Sequence, residues 1–488
     1  MGGNNRTIQV LFASSEADPF YKVGGLGDYA GSLPIALKKY FAHKNNDLDI
    51  RVVLPLHDLN TVSSFSLKKT MNLVIPGQTT DNICDVYAKD FGGIPHYFIR
   101  QVFPQPESEA VYGHDQYQTA YKFALFSIAV LRLIKELQWA PDIIHTNDWH
   151  TALINYLVWS DPTPIGMKPG TLLTIHNMPY MGYGSEPVYN EFSIKPVPEK
   201  SFPKWAQNLP LPMGIASADR IVAVSPSYAR ELTTNYFAYG LENYFLSRPE
   251  KLSGIINGID YENWDPISDP AITHPFSVDN LSTRKKNKED LFHQIGFQNE
   301  LDQPLLIVIS RLENQKGIDL ILDALAETAE LNWKAVILGS GHHGYEYAFK
   351  ALEHALPKKV HTRLKYDPTF ARKLYASGDM ILMPSLYEPC GLSQMIAMRY
   401  GCVPIAHAVG GLKDSIAIAP EVARTGFLFN NASKEPFIAC LKKALNVFDD
   451  PTHWMQIQKN GMHTDFSWLK SAASYAEIYR QIIAEKNK

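Results

Sequence analysis

Residues 22–28, Lys22-Val-Gly-Gly-Leu-Gly-Asp28, hold the most informative chemistry of the chain. The apolar run Ile8–Ala13 before them predicts a buried strand, and Tyr29–Leu37 after them has the apolar spacing of a helix. A glycine-rich turn between strand and helix lets several main-chain N–H groups approach an anion, and the helix start adds a partial positive charge. Lys22 would add a full one. The spacing is neither Gly-x-Gly-x-x-Gly nor Gly-x-x-x-x-Gly-Lys-Ser/Thr, so the usual dinucleotide and NTPase patterns are excluded. A Gly-Gly turn that serves only tight packing is the alternative.

Further along, Arg311 and Lys316 stand five residues apart in Ser310-Arg-Leu-Glu-Asn-Gln-Lys-Gly317. Two cations on one turn at a helix start suit a diphosphate, whose negative charge grows as it leaves. Solvated surface charges are the bland reading. Glu388, in Tyr387-Glu-Pro-Cys-Gly-Leu392, is a carboxylate on a turn stiffened by Pro389, with Gly391 permitting close main-chain approach. It could accept hydrogen bonds from sugar hydroxyls or stabilise positive charge at an anomeric carbon; a capping or surface Glu is the alternative. Cys390 beside it reads as a packed small residue. His145, His150 and His176 match no zinc spacing and each follows a different strand. They read as hydrogen-bond donors facing a cleft, with a core role the alternative, most of all for His145. Tyr366, before Asp367-Pro368, could stack on a base or simply pack.

The elements that must position these groups alternate between strand-like and helix-like runs. Expected strands are Ile8–Ala13, Ile50–Leu54, Ile143–His145, Thr171–Ile175, Arg220–Val224, Leu305–Ile309, Lys334–Leu338, Met380–Met383 and Val403–Ala406. They are short and rich in Val, Ile and Leu, as parallel strands covered on both faces should be. The pattern predicts an α/β chain of doubly wound sheets, whose ligands bind outside the carboxyl ends of the strands. Lys22, Asp28, His150, His176, Arg311, Lys316 and Glu388 each follow such a run. Asp265–Gly296, with Pro266, Pro270, Pro275 and a polar run, breaks the rhythm and is expected to connect two α/β halves.

At 488 residues the chain is too long for one core. A net charge of −4 gives no reason to expect nucleic acid or an anionic membrane as partner. Cys84, Cys390, Cys402 and Cys440 are scattered without a Cys-x-x-Cys pair, which argues against zinc or a disulfide framework and suits a reducing, cytoplasmic setting. The stretch Met1–Arg6 lacks the apolar core of a signal peptide, and Arg6 spoils a myristoylation pattern. The longest apolar stretch, Phe123–Ile134, is too short to span a bilayer.

Together these pieces resemble the bacterial glycogen synthase and plant starch synthase family of retaining glucosyltransferases. The resemblance rests on residues 22–28, Asp148-Trp-His150, Thr174-Ile-His-Asn177, Ala223-Val-Ser-Pro-Ser-Tyr-Ala-Arg-Glu231, Ile256-Asn-Gly-Ile-Asp260, Ser310-Arg-Leu with Gln315-Lys-Gly317, Glu388-Pro-Cys-Gly-Leu392, Gly410-Gly-Leu412, Thr425-Gly-Phe-Leu428 and Asp465-Phe-Ser-Trp468. It implies a GT-B architecture: two Rossmann-like domains facing across a deep cleft, over 1–265 and 266–465, with a C-terminal helix over 466–488 packing back on the first. It implies transfer of glucose from ADP-glucose or UDP-glucose to the non-reducing end of an α-1,4-glucan, with no metal and no other cofactor. A processed plant-type chain would act in the plastid stroma.

Role by role, the resemblance gives Arg311 and Lys316 the donor diphosphate and Glu388 the transferred glucose. Gly24, Gly25 and Leu26 approach the phosphates and glucosyl unit, with Lys22 nearby. His150, Asn177 and Asp28 line the glucosyl pocket, with Asn257 on the donor side. The main chain around Cys390, Gly391, Leu392 and Ser393 cradles the distal phosphate, and Tyr366 takes the base. The chain departs from the family in the acceptor helix. Gln118, Thr119 and Lys122 stand where Asp, Asn and Arg are usual, and Lys does not reproduce a bidentate Arg. Related enzymes making sucrose or trehalose phosphate carry a second Glu at the position of Met395. That alternative, and a catalytically silent glucan-binding scaffold, remain open at this point.

Overall fold

The computed structural model describes residues 6–103, 110–161 and 168–487. Residues 1–5, most of the stretch inspected for a leader or lipid signal, lie outside them. The chain forms two compact units, Met1–Gly258 with Trp468–Lys488, and Ile259–Ser467.

The first unit is built on nine strands: β1 (Ile8–Ala13), β2 (Leu48–Pro55), β3 (Lys68–Ile75), β4 (Asn82–Phe91), β5 (Ile94–Phe103), β6 (Ile143–Asn147), β7 (Gly170–Ile175), β8 (Arg220–Ala223) and β9 (Leu252–Gly254). Their order is β3-β4-β5-β2-β1-β6-β7-β8-β9. The central strand β1 pairs in parallel with both β2 and β6, Val10 facing Ile50 and Ile143. Alternate β1 residues serve opposite faces. Val10 and Phe12 pack with the Gly25–His43 and Trp468–Lys486 helices, while Leu11 and Ala13 pack under the Gln116–Glu136 helix. The apolar stretch Phe123–Ile134 lies inside that last helix, and no described helix is long and apolar enough to cross a membrane. The Tyr479 hydroxyl of the C-terminal helix meets His145 Nδ1 at 2.8 Å, and His145 Nε2 meets Thr174 Oγ1 at 2.7 Å. His145 is therefore a satisfied core histidine.

The second unit holds six parallel strands: β10 (Leu305–Ile309), β11 (Lys334–Leu338), β12 (Val360–Arg363), β13 (Met380–Met383), β14 (Val403–His407) and β15 (Phe427–Phe429). Their order is β12-β11-β10-β13-β14-β15. The chain adds β11 and β12 on one side of β10, then returns to add β13 to β15 on the other. The winding reverses between β10 and β13, as it does between β1 and β6 in the first unit.

The stretch expected to connect the halves, Asp265–Gly296, lies wholly inside the second unit, and Arg284–Ile295 is a helix. Two of its cations, Arg284 and Lys288, are not solvated. Arg284 is buried and donates to the carbonyls of Tyr375 and Gly378. Lys288, 3% exposed, lies 2.7 Å from Asp379 Oδ2 and also reaches the Leu301 and Gln303 carbonyls. Asp265 and Asp269 hold Arg399 and Arg372 at 3.0 and 2.9 Å. Composition marks such residues as surface, whereas partners allow them inside.

Asp379 Oδ2 also accepts the N–H of Leu305 at 2.8 Å, tying the start of β10 to the start of β13 and to this helix. Asp379→Ala strands a buried ammonium and should destabilise the protein by about 3–5 kcal/mol. The urea midpoint of the intact chain measures this; an unchanged midpoint contradicts the clamp.

Candidate functional site

In the first unit, the turn after β1 is organised by a carboxylate that no motif marks. Glu16, 2% exposed, accepts the N–H groups of Val23 and Gly24 on Oε2, and the Tyr112 hydroxyl on Oε1 at 2.7 Å. Burial raises its pKa against those donors. The buried carboxylate folds residues 22–28 back over the strand end. Lys22 Nζ then lies 2.5 Å from Asp28 Oδ1. Gly24 caps the Gly25–His43 helix, Asp28 sits in its first turn and Leu26 is buried. A Cβ on Gly24 or Gly25 would meet no atom within 4 Å. Packing therefore does not require the glycine pair, and both residues face outward at the helix start.

After β6, Asp148 opens the Asp148–Ser160 helix at a φ of +52°, a region that residues other than glycine rarely enter. Its Oδ1 accepts the N–H groups of His176 and Asn177 at 2.7 and 3.2 Å, stapling the ends of β6 and β7 together. His176 Nε2 in turn meets Asn147 Oδ1 at 3.0 Å, a structural contact. His150 differs. Its ring lies 4.3–4.8 Å from those of Trp149, Phe123 and Tyr112. Burial, then His57 and Lys122, push its pKa well down and keep the imidazole neutral. His150 Nδ1, Asn177 Oδ1 and Asn257 Oδ1 are buried without a hydrogen-bond partner among the described residues. Buried polar groups are almost always bonded. Three exceptions following the carboxyl ends of β6, β7 and β9 are what a polyhydroxylated ligand would satisfy.

Gln118, Thr119 and Lys122 occupy the start of the Gln116–Glu136 helix and line a cavity of about 320 Å³ with His57, Arg100 and Gln101. Thr119 Oγ1 is turned onto the Asp115 carbonyl at 2.7 Å, and Lys122 Nζ donates to the Ala110 carbonyl at 2.7 Å. Burial, with Arg100 adding, pushes the Lys122 pKa down to about 8.

In the second unit, the turns after β10 and β13 meet at the reversal point. Lys316 Nζ lies 2.7 Å from Glu388 Oε2, both side chains largely buried, and Ser385 Oγ donates to the same oxygen at 3.0 Å. Gln315 Nε2 donates to the Tyr387 carbonyl, and Leu386 N to the Gln315 carbonyl. Gly317 has a φ of +64°, and a Cβ there would stand 2.3 Å from the Pro384 carbonyl oxygen. Only glycine lets these turns close. Arg311 is exposed and pairs with Glu313 at 2.8 Å. The Glu388 carbonyl accepts Gly411 N from the turn after β14. Cys390 is buried packing, and Gly391, Leu392 and Ser393 lead into the Ser393–Arg399 helix. Tyr366, 81% exposed, stands apart: it follows β12, with β11 between that strand and β10.

The structure thus brings Lys316 and Glu388 into contact, and separately Lys22 and Asp28. Glu16, Tyr112 and Ser385 escaped sequence reasoning. Glu16 carried one usable signal, an acidic residue just past the first apolar run. Among the described residues, no three His, Cys, Asp or Glu side chains gather as a metal site.

Residues 9–247 match the family model of the starch synthase catalytic domain, and 291–461 that of glycosyl transferases group 1. A glycogen synthase of Clostridium perfringens is 37% identical over 98% of this chain and 99% of its own length. One of Lactobacillus acidophilus is 36% identical over 98% and 100%. The catalytic domain of starch synthase IV from Arabidopsis thaliana, solved with ADP and acarbose, gives a TM-score of 0.87 at 30% identity, covering 98% of this chain and 99% of that one. A sucrose-phosphate synthase from Thermosynechococcus elongatus, at 18% identity and a TM-score of 0.62, over 98% of this chain and all of its own, shares the fold alone.

Asp148 offers a test that needs no substrate. Burial pushes its carboxyl from 3.8 up to about 7. The folded state then holds the proton more tightly than the unfolded one, so stability falls as pH rises from about 4 to about 7, by at most about 1.4 kcal/mol per unit. Asp148→Asn cannot titrate. The stability difference between the two proteins should therefore change across pH 5 to 7, to the disadvantage of wild type at the higher pH. Parallel profiles would contradict the assignment.

Proposed function

Because the chain belongs to the bacterial glycogen synthase and plant starch synthase family of GT-B glycosyltransferases, and so transfers glucose to a glucan, we propose that it takes glucose from ADP-glucose or UDP-glucose and adds it, with retention, to the non-reducing end of an α-1,4-glucan. The observation that carries this reading is the Lys316–Glu388 contact at the reversal between β10 and β13. Open α/β sheets bind ligands at that point. A lysine paired with a largely buried carboxylate, with exposed Arg311 on the same turn, suits a diphosphate that leaves as an anion.

In the proposed reaction the anomeric C–O bond breaks and its electron pair goes to the diphosphate. Arg311 and Lys316 stabilise the charge that develops. Glu388 binds the glucosyl hydroxyls and the positive charge on the ring, and the Gly391–Ser393 main chain cradles the distal phosphate. Tyr366 stacks on the base. In the first unit, Lys22, the Gly24–Leu26 main chain, Asp28, His150, Asn177 and Asn257 serve the glucosyl side. The unmatched atoms of His150, Asn177 and Asn257 support hydrogen bonding to hydroxyls. The acceptor hydroxyl attacks from the face that the diphosphate leaves, and its proton passes to the departing phosphate oxygen. Glu388, committed to Lys316 and Ser385, is not cast as a nucleophile. Gln118, Thr119 and Lys122 tune acceptor preference, Lys122 by holding the main chain at Ala110 and Val111. The four buried thiols support a cytoplasmic setting.

Lys316→Ala should lower turnover by about 10²–10³ in a folded protein, the range for removing one preorganised charge-stabilising donor. Near-normal turnover with unchanged circular dichroism overturns the diphosphate assignment. Two side-chain cations take the place of a divalent ion in this reading, so transfer should survive EDTA. Reversible loss on chelation, restored by magnesium or manganese, contradicts it.

A further inference from the structure

The two cations of the turn after β10 are held by unlike carboxylates. Lys316 meets Glu388, which comes from the turn after β13, is largely buried and is also bonded by Ser385. Arg311 instead meets Glu313, two residues away on its own turn, with Nη1 2.8 Å from Oε1. Those two side chains are 57% and 41% exposed. An ion pair so open to water is worth little, and it can change partners at small cost.

The backbone brings the pair together. Leu312, between them, is wholly buried and forms a bridge with Gly341, its N–H donating to the Ser340 carbonyl and its carbonyl accepting the His342 N–H. Glu313 N donates to the Arg311 carbonyl at 3.0 Å, closing a three-residue turn with Leu312 at its centre. Arg311 and Glu313 are thus fixed as neighbours around an anchored residue. Nothing else in the turn calls for a carboxylate at 313. Glu313 precedes the helical turn Asn314–Lys316, but its side chain makes no cap bond there. Among the described residues its carboxylate has no hydrogen-bond or ion-pair partner besides Arg311.

We propose that Glu313 is a positioning residue that competes with the donor diphosphate for Arg311, and so sets how tightly the nucleotide is held. The proposal rests on the reading of Arg311 as a diphosphate ligand. A guanidinium bonded to a carboxylate is aimed and ready to trade one anion for another. The trade costs the ion pair. The displaced carboxylate, tethered two residues away, stays close enough to repel the diphosphate. Both effects weaken nucleotide binding, and they act on the departing nucleoside diphosphate as on the donor. That serves an enzyme that must shed a nucleoside diphosphate after each glucose it adds. Lys316 does not share this behaviour, because its carboxylate is enclosed and held by a second donor.

The test uses the intact chain and Glu313→Gln, which removes the charge and keeps the shape. Calorimetric titration with ADP and with UDP identifies the tighter ligand of wild type. The variant should bind that ligand about fivefold more tightly, the upper range for an exposed pair. Most of the gain should lie in slower dissociation. KM for the nucleotide sugar should fall by a similar factor, with KM for glycogen unchanged. In about 0.5 M salt the gain should shrink below about twofold, as screening requires. Glu313→Asp, which keeps the charge, should stay within about twofold of wild type. In a chain that also carries Arg311→Ala, Glu313→Gln should change affinity by less than about twofold. Thermal unfolding and circular dichroism establish that each variant is folded. Equal affinity of wild type and Glu313→Gln, where Arg311→Ala weakens the nucleotide, overturns the competition and leaves the diphosphate reading standing. Arg311→Ala with wild-type affinity overturns both. A gain that persists in high salt, or in the Arg311→Ala chain, or that Glu313→Asp reproduces, is not competition for Arg311 and overturns the proposal.

Discussion

A doubly wound sheet must reverse its winding once, and this single constraint locates the turns that carry Lys22, Asp28, His150, Lys316 and Glu388. Crossovers between parallel strands are right-handed, so successive strands are added on one side until the chain returns to the middle and adds the rest on the other. Where it returns, two neighbouring strands send their following turns in opposite directions and leave a crevice. In the first unit that point lies between β1 and β6, and in the second between β10 and β13. The turns after β1 and β6 carry Gly24, Asp28, Asp148 and His150, and those after β10 and β13 carry Lys316 and Glu388. No other pair of strands in either sheet has this position.

The two units hold their turns in place by opposite electrostatic means. In the first, buried carboxylates collect main-chain N–H groups: Glu16 those of Val23 and Gly24, Asp148 those of His176 and Asn177. Desolvation raises both pKa values, and the main-chain donors oppose the rise. In the second, a carboxylate collects a cation, and the Lys316–Glu388 pair spans residues far apart in sequence. Gly317 allows the two turns to approach, and Asp379 clamps the opposite ends of the same two strands through Leu305 N and Lys288. Backbone geometry and charge are thus specified together at both ends of β10 and β13.

Much of this was legible in residue order. Nearly continuous apolar runs such as Leu305–Ile309 and Lys334–Leu338 mark strands covered on both faces, and the polar residues after them mark the edge where ligands bind. The antiparallel pairings of β3 with β4 and β4 with β5 were not legible, because those strands mix polar and charged residues into their apolar runs. Lys68–Ile75 is largely exposed, and Asn82–Phe91 includes Asp85, Lys89 and Asp90. Arg284 and Lys288 misled for the converse reason, since a cationic run reads as surface until its carbonyl and carboxylate partners are known. At the site, motif spacing exposed Lys22, Arg311, Lys316 and Glu388. It could not expose Glu16 or Tyr112, whose contact joins residues 96 apart in sequence. Its place against its strand already favoured a core role for His145, which a buried hydroxyl network holds, but nothing in the order separated His176, with a neighbouring amide, from His150, with aromatic rings and one unmatched nitrogen.

The most direct measurement is a crystal structure of this chain with ADP bound. The diphosphate should lie over the turn after β10, with phosphate oxygens within hydrogen-bond distance of Arg311 and of Lys316 Nζ, and with the Gly391–Ser393 main chain facing the distal phosphate. A diphosphate held elsewhere, with Lys316 bonded only to Glu388 and Arg311 only to Glu313, would contradict it.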